Sequence, residues 1–101
     1  MILEVAQLDI KAGQCADFER AFTEAQSIIA AMPGYLSHQL QKCVEKENRC
    51  LLLVRWQTLE DHTEGFRGSA KYQRWKALLH HFYDPFPEVE HYRLLSGSDD
   101  L

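Results

Sequence analysis

The stretch YLSHQLQKCVEKENRCLLLVRW, residues 35–56, decides the fold. From Tyr35 to Val44 the side chains alternate, with Leu36, His38, Leu40, Lys42 and Val44 on one face. Glu45-Lys46-Glu47-Asn48 is polar and turn-like, and Cys50 to Trp56 is a nearly continuous apolar run broken by Arg55. An alternating run and a continuous apolar run joined by a short polar turn read as a β-hairpin. The second run is apolar on both faces, which predicts a central strand. A four-residue turn would set Cys43 opposite Cys50, and the reading favoured for that pair is two reduced thiols in neighbouring strands.

Working outward, the residues before the hairpin change period. Phe18, Ala21, Phe22, Ala25, Ile28, Ile29 and Met32 follow helical spacing, with Glu19, Arg20, Glu24 and Gln26 on the other side. Pro33-Gly34 ends that helix, since proline lacks an amide donor and glycine tolerates a left-handed exit. Ahead of it, Ile2 to Ile10 alternates as a strand, and Gly13 punctuates. After the hairpin, Thr58-Leu59-Glu60-Asp61 has the form of a helix start, with an acid three residues after a threonine cap. Leu59, His62 and Phe66 share one face of this short helix; Gly68 breaks it and Ser69 caps the next. There Tyr72, Trp75, Leu79 and Phe82 form an aromatic-rich stripe, which Pro85-Phe86-Pro87 ends. Val89 to Leu95 is predicted as a last strand, and residues 96–101 as a frayed tail.

Strand, helix, strand, strand, paired helices, strand is the split βαβ order. The expected fold is therefore α+β and ferredoxin-like, one domain over residues 1–95, with a four-stranded antiparallel sheet and helices on one face. The other sheet face needs a cover, because Leu3, Val5, Leu52 and Val54 are too apolar for water, and a homodimer packed sheet to sheet is expected.

Composition removes several classes of function. Fifteen acids against eleven bases give a net charge of −4, which argues against nucleic acid or an anionic membrane surface as partner. No apolar run is long enough to span a bilayer, and Ile2-Leu3-Glu4-Val5 follows no basic region, so neither membrane segment nor signal peptide is expected and the cytoplasm is the default. Three cysteines without a CxxC make neither a disulfide framework nor a zinc site. Adjacent His80 and His81 point about 100° apart on a helix and cannot chelate together. There is no glycine-rich phosphate loop and no GxSxG.

One resemblance is carried by an ordered set of motifs. These are VRWQTLEDH at residues 54–62, FRGS at 66–69, YQRW at 72–75 and PFPEVEHY at 85–92, with AQLDIKAGQ at 6–14 and MPGY at 32–35. Together they resemble the antibiotic biosynthesis monooxygenase family over about residues 2–95. The resemblance implies a dimeric α+β barrel with a cavity between sheet and helices in each protomer. It also implies oxidation of a phenol, hydroquinone or polycyclic aromatic by O₂ without metal, flavin or other cofactor. Such chemistry needs a site that holds the ring, takes its proton and excludes water. The chain departs from the pattern in places. The quinone-forming branch carries Asn and Trp where His62 and Phe66 stand, and the haem-degrading branch carries Trp at Phe66 and a haem-ligating His at Lys76. Haem degradation is therefore not expected.

The candidate catalytic residues are His62, as acceptor of a phenolic proton, and Tyr72, orienting the oxygen. His62 reads equally as a half-buried polar residue at a helix–sheet seam. Phe66, Trp75 and Phe82 would line the pocket, although large aromatics dominate small cores in any case. Arg55 would bind a phenolate or carboxylate if it points inward, and would pair with an acid at the dimer face if it points outward. His91 reaches either pocket or interface. Beside the monooxygenase reading stand two others on the same scaffold: a non-catalytic small-molecule-binding or stress-related module, and an isomerase using the same histidine.

Overall fold

The computed structural model describes residues 1–98. Its elements are strand β1 (Ile2–Asp9), helix α1 (Cys15–Ala30), strands β2 (Tyr35–Lys42) and β3 (Arg49–Trp56), a π-helical turn (Asp61–Phe66), helix α2 (Ala70–Leu79), a 3₁₀ turn (His80–Phe82) and strand β4 (Val89–Tyr92). The four strands form one antiparallel sheet in the order β2-β3-β1-β4, the ferredoxin-like arrangement, with the helices on one face. The hairpin strand β3 is central, as its two-sided apolarity requires. No helix among the described residues is long and apolar enough to cross a membrane.

Strand parity decides what each face carries. Glu4, Ala6 and Leu8 of β1 and Cys50, Leu52, Val54 and Trp56 of β3 are buried beneath the helices. Phe18, Phe22, Ala25, Ile28 and Ile29 of α1 close the core over them, with Trp75 and Leu79 of α2. Leu3, Val5, Leu51 and Leu53 point to the other face. Two residues expected on that outer face, Leu52 and Val54, are thus core residues. Their odd-numbered neighbours Leu51 and Leu53 replace them, because an apolar run carries no parity of its own.

Several other local expectations are revised. Lys42, not Cys43, pairs with Cys50, while the Cys43 amide donates to the Arg49 carbonyl at 2.9 Å. The tight turn absorbs one more residue than the polar count suggests, and Val44 falls in it, 94 % exposed. The last strand stops at Tyr92, and residues 93–95 run on without pairing in the sheet. Of the predicted tail, residues 99–101 lie outside the described residues.

The segment that delivers the site is built as its capping signals specify. The Asp61 amide donates to Thr58 Oγ1 at 3.2 Å, and the Thr58 amide donates back to the Asp61 carboxylate at 3.1 Å. This reciprocal pair satisfies two amides that a helix start leaves open. The turn that follows is wider than an α-helix: the Arg67 amide donates to the His62 carbonyl, five residues back, at 3.1 Å. His62 and Phe66 both point inward from it, whereas Leu59, before it, is 38 % exposed. Ser69 Oγ then accepts the Tyr72 amide at 3.1 Å and opens α2.

Candidate active site

A cavity of about 210 Å³ lies between the sheet and the π-helical turn, α2 and the segment after it. Its floor is Ala6, Leu8, Leu52 and Val89; Phe66, Tyr72, Trp75 and Tyr83 form aromatic walls; Phe86 and Pro87 stand at the edge. Phe66 holds the wall together, meeting Tyr72 edge-on at 5.2 Å and Trp75 at 5.6 Å between ring centroids. An apolar cavity of about 150 Å³ admits benzene, so this one is sized for one substituted ring or a small fused pair.

Its polar groups are Glu4, His62, Arg67, Tyr72, His80 and Tyr83. The first two are deeply buried, Glu4 at 5 % and His62 at 3 % exposure. Glu4 Oε1 accepts the Trp56 indole N–H at 2.9 Å and lies 3.4 Å from His62 Nε2. His62 stacks on the Trp56 ring at 5.4 Å, which fixes the imidazole plane. The other ring nitrogen, Nδ1, is 2.7 Å from His91 Nε2. Among the described residues no buried side-chain nitrogen or oxygen lacks a hydrogen-bond partner, so this polar set is complete within the core.

Burial sets the protonation of the pair. It pushes the Glu4 carboxyl up to about 6, against the pull of the Trp56 hydrogen bond and the Arg67 charge. It pushes the His62 imidazole down to about 3, and the nearby Arg67 and His91 add to that. At neutral pH His62 is therefore an uncharged imidazole beside an ionised carboxylate. Tyr83, also buried, holds its phenolic proton well above the tyrosine range.

Of the residues singled out in the sequence, the structure brings His62, Phe66, Tyr72 and Trp75 together around the cavity. Arg55 is on the opposite face of the sheet, with Leu51 and Leu53, because it falls on the odd parity of β3. Phe82 is also away from the cavity. The chain tightens from α-helix to 3₁₀ turn at His80, and the three-residue period swings Phe82 toward α1, where it meets Phe18 at 5.7 Å. His80 and Tyr83 take its place on the wall. Sequence reasoning passed over Glu4, although a signal was present: it shares the parity of Ala6 and Leu8, an acid where an apolar residue is due. Arg67 carried no such signal. Among the described residues no three His, Cys, Asp or Glu groups converge so as to hold a metal ion.

A ferredoxin-like sheet with an aromatic-walled hollow under its helices defines a class of small α+β proteins. The sequence signature of the antibiotic biosynthesis monooxygenases matches residues 1–78, and the chain belongs to that family. It is 59 % identical over 93 residues to the uncharacterized protein YczJ of Bacillus subtilis (strain 168), covering 92 % of this chain and 98 % of that one. A crystal structure of a Bordetella bronchiseptica protein named for the same family superposes with a TM-score of 0.90 at 29 % identity, covering 94 % of this chain and 97 % of the other. SnoaB, a cofactor-independent oxygenase from Streptomyces nogalater, shares the fold with a TM-score of 0.84 at 15 % identity, over 98 % and 97 % of the two chains.

Proposed function

We propose that the protein is a cofactor-independent monooxygenase that oxidises a phenol or hydroquinone of one or two rings with O₂. The observation that carries this reading is the buried Glu4–His62 pair opening into an aromatic-walled cavity. Its family and its likeness in fold to a cofactor-independent oxygenase support it.

Ground-state O₂ reacts poorly with neutral closed-shell molecules, so the site's first task is to make an electron-rich anion. The Glu4–His62 pair takes the hydroxyl proton, and the positive charge of Arg67 at the cavity favours the phenolate. Tyr72 orients the oxygen, while Phe66 and Trp75 hold the ring. The phenolate gives one electron to O₂, and the resulting radical pair couples at a ring carbon to form a peroxide. Loss of the ring C–H proton and cleavage of the O–O bond leave a quinone and water. One oxygen atom stays in the product. The pair takes up two protons, from the hydroxyl and the ring carbon, and both return to the departing oxygen.

Oxygen uptake on a panel of one- and two-ring phenols and hydroquinones tests the reading. We expect consumption with one labelled atom from ¹⁸O₂ in the product, and a fall in kcat of about 10²–10⁴ for His62→Ala. A panel that consumes no O₂ would remove the oxygenase; product formed without O₂ would mark an isomerase using the same proton acceptor.

The same reading includes a homodimer closed over the outer sheet face, with the reducing cytoplasm as its compartment. Support comes from the apolar trough on that face, lined by Leu3, Val5, Leu51, Leu53 and Tyr92.

A further inference from the structure

His91 plays no part in the scheme above, yet its placement is specific. It lies on β4, directly opposite Glu4 in the β1–β4 register, so both side chains rise from the same face of the sheet. β4 is the edge of the sheet, and among the described residues no strand lies beyond it. His62 is buried, while His91 is half-buried. Glu4, His62 and His91 therefore form a continuous line, with steps of 3.4 Å and 2.7 Å, running from the cavity to the edge of the molecule.

We propose that His91 is the outer station of a proton path, passing protons between His62 in the cavity and bulk water across the open edge of the sheet. The proposal rests on the reading that His62 handles the substrate's proton. His91 acts through His62 and touches no substrate, so it is a positioning and relay residue.

The chemistry supplies the need. The pair must accept two protons before the last is returned to oxygen, and a buried imidazole is a poor place to keep either. A proton arriving on His62 leaves from Nδ1 to Nε2 of His91, and His91 releases one from its Nδ1 to water. No bond other than N–H and O–H changes, and the charge moves outward by one step. Burial also lowers His91, with the Arg67 charge adding to that, so His91 does not trap the proton. The groups that act on this path from the packed elements are Glu4 of β1 and His62 and Arg67 of the turn; Glu90, Tyr92 and Arg93 flank His91 on its own segment.

Two variants separate relay from architecture. Gln at position 91 keeps a hydrogen-bond partner for His62 but cannot carry a proton through; Ala leaves a gap at the edge that free imidazole can fill. On a substrate that wild type turns over, we expect H91Q and H91A to lose about 10-fold or more in kcat with KM unchanged. Imidazole in the buffer should restore H91A but not H91Q. Full activity in H91Q, or a loss in H91A that imidazole leaves untouched, would overturn the relay. An activity-independent measurement keeps the two readings apart. In wild type the ring N–H of buried His62 should exchange with water measurably faster than in H91Q, by NMR. Equal exchange rates reject the path whatever the fate of the oxygenase, and an inert panel with faster wild-type exchange rejects the oxygenase alone.

Discussion

Glu4 and His62 are the residues where burial does the most chemistry, and they respond to acid in opposite senses. His62 titrates near 3 in the folded chain against 6.5 when exposed, so between those values the unfolded chain binds more protons. Acid therefore costs the fold stability across that window. Glu4 titrates near 6 against 4.5, so between those values the folded chain binds more protons, and acid there relieves a cost. The His62 displacement is the larger. We expect a net loss of a few kcal/mol between pH 7 and pH 3, at one proton's worth of linkage per group. Urea midpoints across that range would show it, and His62→Gln should flatten the fall. A wild-type midpoint indifferent to pH would mean that His62 does not stay neutral in the core.

At the scale of elements, the π-helical turn matters most, because it carries His62 and Phe66 into the cavity together. Its start depends on the Thr58–Asp61 reciprocal cap, and the cap leans on Gly34. Gly34 holds a φ of 84°, and its carbonyl accepts the Gln57 amide at 2.8 Å. A Cβ at this position would run into the Asp61 carboxylate. Gly34→Ala thus strains the backbone and displaces the cap in one change; we expect a cost of about 1–3 kcal/mol, read from denaturant unfolding. Thr58→Ala removes one hydrogen bond of the cap and should cost about 1 kcal/mol. The order of the two losses is the test. If Thr58→Ala proves the worse, the Gly34 contact is not what seats the turn.

For the whole molecule, the question is what covers the outer sheet face. Leu51 and Leu53 sit at its centre, and Tyr92 at its edge is 49 % exposed. Arg55 shares that face, so of its two expected placements the outward one holds, away from the substrate cavity. Leu53→Lys would place a cation among the central leucines of the trough, in addition to Arg55 and Arg93 on its lining. We expect sedimentation to show a dimer for wild type and a monomer for this variant, with the far-ultraviolet signal preserved. A wild-type monomer would mean that the trough serves another partner.

Hydrophobic period, turn chemistry and capping signals act over a few residues, and these were legible in the sequence: the hairpin, both helix starts, the Pro33-Gly34 exit and the split βαβ order. Phe66, Tyr72 and Trp75 could be set on apolar faces for the same reason, whereas no local pattern says whether His62 faces the cavity. What only the tertiary structure decided is set by distance along the chain. The parity of an apolar run such as Leu51–Leu53 depends on which face meets the helices, and that choice sent Arg55 outward. The swing of Phe82 follows from one tightened turn. Glu4 and His91 meet His62 from positions 58 and 29 residues away, through strand pairing that no local pattern encodes. Burial then gives the three side chains properties that none has alone.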